Sequence, residues 1–128
     1  MVESKSTTAL VVVNSILPAA KILDELRQRC DVIICADGGA NRARAAGLTP
    51  DYIVGDLDSV SAETRAAFAS AQIIHRPSQS ATDLEKALEF AVELGVTSAL
   101  LVGISGLRLD HQLVNLNIAE KFCDRLTI

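Results

Sequence analysis

Short runs of β-branched and aliphatic residues alternate along the chain with stretches in which apolar positions recur every three or four residues. Leu10, Val11, Val12 and Val13 form an apolar run too short for a helix, which predicts a strand buried on both faces. Over 19–29 the spacing becomes helical, with Ile22, Leu23 and Leu26 on one face. Val32, Ile33, Ile34 and Cys35 predict a second strand, an Ala/Arg-rich helix ends near Gly47, and a short strand covers 52–54. Ser61 is placed to cap a helix running to about Ala71, and Gln72, Ile73 and Ile74 read as a fourth strand. Thr82-Asp83-Leu84-Glu85 has the spacing of a capping box and opens a helix with Leu84, Ala87, Leu88 and Ala91 turned inward, stopped by Gly95. A buried strand over 99–102 leads through Gly103 and Gly106 to a helix carrying Leu109, Leu113 and Leu116. Residues 125–128 look like a further strand just starting, so the chain reads as a piece of a longer protein.

Strand and helix in regular alternation predict a doubly wound α/β domain: a mostly parallel sheet with helices on both faces, in a Rossmann-like three-layer arrangement. The 128 residues, 49% of them hydrophobic, suffice for one domain with a real core. A net charge of −4 without a long basic block argues against nucleic acid and against an anionic membrane surface. A small-molecule partner is expected instead. Cys30, Cys35 and Cys123 have neither CxxC nor mixed Cys/His ligand spacing, and they read as buried thiols of a reducing cytoplasm. No run reaches membrane-spanning length, and no leader pattern opens the chain.

The chemistry gathers where elements change. Asp56 and Asp58 stand one residue apart after the strand that Gly55 ends. Asp37-Gly38-Gly39 follows the second strand, Thr82-Asp83 opens a helix, and Asp110-His111 lies at another helix start. Ligands of open α/β sheets settle beyond the carboxyl ends of the strands, so these acidic points suggest one site. No GxxxxGK[ST] and no GxGxxG is present, so phosphates need another cradle. Aspartates repel phosphate unless a divalent ion stands between them, and Mg²⁺ is commonly held by one or two carboxylates with phosphate oxygens and water. Taken singly, each motif has a structural explanation. Asp37-Gly38-Gly39 makes a strand-to-helix turn, Asp56 and Asp58 suit a turn, Thr82 with Glu85 caps a helix, and Asp110-His111 complements a helix terminus. Arg42 and Arg44 read as an exposed helix face, and His75 as solvated.

Four segments together resemble the thiamin pyrophosphokinases: Ala36 through Asn41, Pro50 through Ser59, Thr82 through Leu88, and Gly103 through Asn115, in matching order and spacing. The resemblance implies an α/β catalytic domain over 1–128 that transfers diphosphate from ATP to thiamin. It also implies a C-terminal β-sandwich thiamin-binding domain, which this chain lacks, and a homodimer. On that resemblance Asp56, Asp58 and Asp83 would hold Mg²⁺ against ATP, with Asp83 alternatively accepting the thiamin hydroxyl proton and Asp37 serving metal or substrate. Arg108 and Lys86 would meet developing phosphate charge, Arg being the better bidentate ligand. Asn14, Gly38, Gly39, Asn41, Ser59 and Thr82, with Asp110 and His111, complete the nucleotide-binding set.

Three positions depart from the family pattern. Leu57 replaces phenylalanine between the two aspartates, Ser80 stands where an acidic residue is usual, and Leu107 replaces a glycine. Ser80 and Leu107, with the missing second domain, raise the alternative of a non-catalytic nucleotide-binding or dimerisation module. A second alternative comes from Asp56-Leu57-Asp58-Ser59-Val60, which fits the DxDx[TV] pattern of haloacid-dehalogenase-like phosphatases, whose first Asp becomes phosphorylated.

Overall fold

The computed structural model describes residues 7–77 and 81–103. Five strands, β1 (Thr8–Val12), β2 (Val32–Ala36), β3 (Tyr52–Gly55), β4 (Gln72–His75) and β5 (Ser98–Val102), form one sheet in the order β4-β3-β2-β1-β5. Every pairing is parallel. Four helices connect them: α1 (Ala20–Gln28), α2 (Gly39–Ala45), α3 (Ala62–Ala67) and α4 (Asp83–Glu93).

This order explains the three layers. The first four strands step in one direction, and right-handed crossovers then place α1, α2 and α3 on the same face; the step from β4 back past β1 to β5 sends α4 to the opposite face. The side chains divide accordingly, because successive strand residues point to opposite sides. Leu10, Val12, Cys35 and Ile53 pack with Leu23 of α1, Ala40 and Ala43 of α2, and Phe68 after α3. Val11, Ile34, Ala36 and Val54 pack with Leu84, Ala87, Leu88 and Ala91 of α4. The central strands are therefore apolar on both sides, as their uninterrupted hydrophobic runs require.

Side chains at the amino edge fix the register. Asp31 Oδ2 accepts the backbone N–H of Thr8 at 2.9 Å, and Asp51 Oδ2 that of Ile33 at 2.9 Å. Thr97 Oγ1 does the same for Thr7 at 3.0 Å. Each of these residues lies just ahead of one strand and pins the start of its neighbour. At the end of α4 the N–H of Val96 reaches Ala91 O and that of Gly95 reaches Val92 O, both at 3.0 Å, the paired bonds of a Schellman stop.

The doubly wound, three-layer α/β expectation agrees with this architecture, and several local expectations need correction. α3 ends at Ala67 rather than near Ala71: Phe68 leaves helical geometry at φ −106° and ψ 40° and is buried in the core. The alanines and serine after it offer no apolar stripe that could hold a further turn. Ile22 is 51% exposed, because the buried stripe of α1 is centred on Leu23 with Leu26 beside it. Cys35 is buried, but Cys30 is only half-buried, its Sγ donating to Leu26 O at 3.2 Å. Arg44 is exposed as expected, whereas Arg42 is half-buried and bonded to Asn14. The helix expected after Gly106, the strand expected over 125–128, and Cys123 lie outside the described residues.

Candidate functional site

β2 and β3 both end in aspartate-bearing turns on the carboxyl edge of the sheet, and α4 starts at that edge. Asp37 follows β2 directly, its N–H donating to Val54 O at 2.8 Å, so its side chain leaves the sheet beside β3. Asp56 follows Gly55, and Asp83 is the first residue of α4. The nearest carboxylate oxygens of Asp37, Asp56 and Asp83 all lie within 4.8 Å of one another.

The turn geometry is what brings them together. Asp37 and Leu57 both have left-handed backbone conformations, with φ of 43° and 73°, which side-chain-bearing residues adopt at a cost. Asp37 offsets that cost by accepting backbone N–H groups at both oxygens, from Leu57 at Oδ2 (3.1 Å) and from Ser59 at Oδ1 (3.1 Å). The Leu57 side chain packs against the core face that holds α2. Gly55 has φ of +147°, and a Cβ there would stand 3.1 Å from Asp37 Oδ2, so its missing side chain makes room for the carboxylate. Asp56 Oδ1 accepts the N–H of Asp58 at 3.2 Å, an Asx turn that closes the loop.

Asn41 holds this loop from the side. Its Nδ2 donates to Ser59 O at 2.6 Å, and its Oδ1 accepts the N–H of Ser61 at 3.1 Å. Both ends of the amide are thus used on the protein, giving Asn41 a supporting part in the loop. Thr82 caps α4, its Oγ1 accepting the N–H of Glu85 at 3.2 Å, which sets the first turn and with it Asp83. A Cβ on Gly39 would fall 2.1 Å from Val12 O, so only glycine lets α2 start this close to β1.

Crowding marks the electrostatics. The Asp37 carboxyl is pushed up to about 7 by burial first, then by its hydrogen bond to Asp56 and the charge of Asp83, with the Ser59 N–H pulling the other way. Burial and the Asp56 charge also raise Asp83, and Lys86 opposes them. Lys86 lies one turn along α4 and is only 4% exposed. Three oxygen donors, two of them raised in pKa by burial and by neighbouring carboxylates, fit a hard divalent cation better than any soft metal. Such an ion would supply the positive charge that the cluster lacks.

Of the residues expected at the site, Asp37, Asp56 and Asp83 come together, while Asp58 stays exposed outside the trio and acts on Asp83 only through its charge. Gly38 and Ser59 stand beside the turn and Asn14 at the end of β1, where its Nδ2 would be 2.5 Å from a Cβ on Gly38. Arg108, Asp110 and His111, with the departing positions Ser80 and Leu107, lie outside the described residues. Two contributors were not expected. Gly55 had a signal in the break it makes between strand and aspartate, whereas Arg42 had none, since its helix position alone could not reveal Asn14 as a neighbour.

Comparison with known proteins meets this geometry. The family model for the thiamin pyrophosphokinase catalytic domain matches residues 23–127. Thiamine pyrophosphokinase 3 of Oryza sativa subsp. japonica is 32% identical over 138 residues, covering 89% of this chain and 51% of its own length. Thiamin pyrophosphokinase from Candida albicans shares the fold with a TM-score of 0.79 at 22% identity, covering 93% of this chain and 55% of that one. Thiamine pyrophosphokinase from Bacillus subtilis superposes with a TM-score of 0.74 at 27% identity, over 93% of this chain and 57% of that one. The chain spans about half the length of the curated relatives it matches.

Proposed function

The chain belongs to the thiamin pyrophosphokinase family, and from that premise we propose that it supplies the catalytic, nucleotide-binding domain for Mg²⁺-dependent transfer of diphosphate from ATP to thiamin. The observation that carries the reading is the convergence of Asp37, Asp56 and Asp83 within 4.8 Å at the carboxyl edge of the sheet. Asp56 is the primary Mg²⁺ ligand in this proposal, with Asp37 completing the set, Asp83 taking its alternative part as proton acceptor beside the ion, and Asp58 facing solvent at the rim. Mg²⁺ bound there would neutralise phosphate charge and hold the ATP polyphosphate in line for attack.

In the transfer itself, the hydroxyl oxygen of thiamin bonds to the β-phosphorus of ATP. The bond from that phosphorus to the bridging oxygen on the α-phosphorus breaks, and AMP leaves. The hydroxyl proton must go to a base. Asp83 is suited to accept it, being fixed by the first turn of α4 and made more basic by burial. Lys86 holds positive charge beside it, and Arg108 keeps the phosphate-binding part that its motif implies. Positioning and charge neutralisation, rather than a covalent enzyme intermediate, carry the reaction.

The same proposal includes a homodimer, as the family resemblance implies, and a cytoplasmic setting, supported by cysteine spacing that fits no disulfide framework. Among the described residues no helix is long and apolar enough to cross a membrane.

The test is to incubate the protein with ATP, Mg²⁺ and thiamin, and to follow AMP and thiamin diphosphate by chromatography beside a thiamin-free control. AMP formed one-for-one with thiamin diphosphate is the expected result. AMP appearing equally without thiamin, or Mg·ATP binding with no product, would sink diphosphoryl transfer by this chain.

A further inference from the structure

Arg42 lies midway along the short helix α2, which starts at the same edge of the sheet as the aspartate trio, and its Nε donates to Asn14 Oδ1 at 3.2 Å. A guanidinium has donors and no acceptor, so the Asn14 atom facing it must be the oxygen. That fixes the amide's orientation without ambiguity and turns Nδ2, the donor end, the other way. Nδ2 then lies over Gly38, 2.5 Å from where a Cβ would be, and Gly38 is the residue after Asp37. Asn14 itself stands just past β1, where the ladder to β5 continues through Val13 N to Val102 O at 2.9 Å. β1 and β5 flank the point at which the strand order reverses, where open α/β sheets take their ligands.

A polyphosphate held beside three carboxylates needs donors and positive charge from the protein as well as from a metal. Arg76, also at this edge, is committed to Glu93 at 3.0 Å and lies over the Phe90 ring. Lys86 is buried beside Asp83. Arg42 is half-buried, and its bond to Asn14 uses one of five N–H donors.

Resting on the reading of this edge as a nucleotide site, we infer that Arg42 is a positioning residue for the ATP phosphates. It locks the Asn14 amide with Nδ2 as the donor presented to a phosphate oxygen, and it adds its own charge alongside. The role works through Asn14, so the two side chains act as one unit.

Titration of Mg·ATP into the wild-type chain, Arg42→Ala, Arg42→Lys, Asn14→Ala and the Arg42→Ala/Asn14→Ala double variant tests this, with thermal unfolding of each. Arg42→Ala and Asn14→Ala should each weaken binding by on the order of tenfold, and the double variant by little more than either, the signature of coupled residues. Melting temperatures should stay near that of the wild type. Arg42→Lys keeps the charge but not the planar Nε donor, and should also bind more weakly, which decides the matter if Arg42→Ala fails to fold. Wild-type affinity in the lysine or alanine variant, or losses that add fully in the double variant, would overturn the positioning role while leaving the nucleotide reading intact. No Mg·ATP binding by the wild-type chain would instead defeat that reading, and this inference with it.

Discussion

Asp37 Oδ2 accepts the backbone N–H of Leu57 at 3.1 Å, and through that bond the end of β2 shapes the loop that carries Asp56. Oδ1 does the same for Ser59. Asp37 therefore both organises the loop and contributes charge, whereas Asp56 closes a local Asx turn within a loop that Asp37 and Asn41 hold. Substitutions at the two positions should separate structure from binding.

Asp56→Asn should weaken Mg²⁺ binding by on the order of tenfold or more while leaving the melting temperature unchanged or slightly raised. The amide can still accept the Asp58 N–H at Oδ1, so the turn survives. Removing one of three crowded carboxylates also relieves the repulsion that raises Asp83. Calorimetric titration with Mg²⁺ beside thermal unfolding checks this; a large loss of stability with unchanged metal affinity would contradict a site role.

Stability without divalent ions should fall as pH rises from about 4 to about 7. Asp37 titrates at about 7 in the folded chain against 3.8 as its ordinary value, so over that window the native state keeps a proton that the unfolded chain has released. The stabilising preference for the protonated form is complete below the unfolded value and is lost progressively up to the folded one, with a slope of at most about 1.4 kcal/mol per pH unit for one group. Asp83 shifts in the same direction. Urea midpoints at about pH 5 and about pH 7.5, with and without Mg²⁺, measure it. Mg²⁺ should stabilise more at the higher pH, because binding there displaces less proton. A metal-free midpoint that falls across this window by the same amount in Asp37→Asn would show that Asp37 is not the group responsible.

Asn41→Ala should cost about 1–3 kcal/mol, since it removes a donor to Ser59 O and an acceptor for Ser61 N–H, groups that then lack their partner. Mg²⁺ affinity should drop less than in Asp56→Asn, because the trio loses support rather than a ligand. Urea unfolding and the same Mg²⁺ titration distinguish the two; equal losses of affinity would mean that Asn41 does more than hold the loop.

What the sequence made legible follows periodicity and chemistry that act locally. The strand runs, the inward face of α4 at Leu84, Ala87, Leu88 and Ala91, and the Thr82 cap depend on neighbours in the chain, and the structure has them. The placing of Asp37 and Asp56 at strand ends was equally readable, and parallel pairing of β2 with β3 turns that into proximity. Long-range outcomes were not readable. The choice of Asp37 rather than Asp58 to complete the trio depends on Leu57 taking a left-handed conformation, which sends Asp58 outward. Leucine gives no local hint of such a backbone. The exposure of Ile22 and the half-burial of Arg42 likewise depend on how α1 and α2 rotate against the sheet, which the spacing of apolar residues defines only to within a residue position.

Gly39→Ala should be among the most damaging single-methyl changes in the chain. The added Cβ would fall 2.1 Å from Val12 O, and Val12 cannot retreat, because it is paired with Cys35 on one side and Val102 on the other. α2 would have to lift instead, which would pull Ala40 and Ala43 out of the core and drag Asn41 from the loop it clamps. Overpacking against backbone of this kind costs about 3 kcal/mol or more. The expected result is a marked fall in the urea midpoint together with weaker Mg²⁺ binding, since one movement disturbs both the core and the loop of the trio. A variant that unfolds at the wild-type midpoint would show that α2 does not approach β1 this closely, and would remove the basis for coupling α2 to the site.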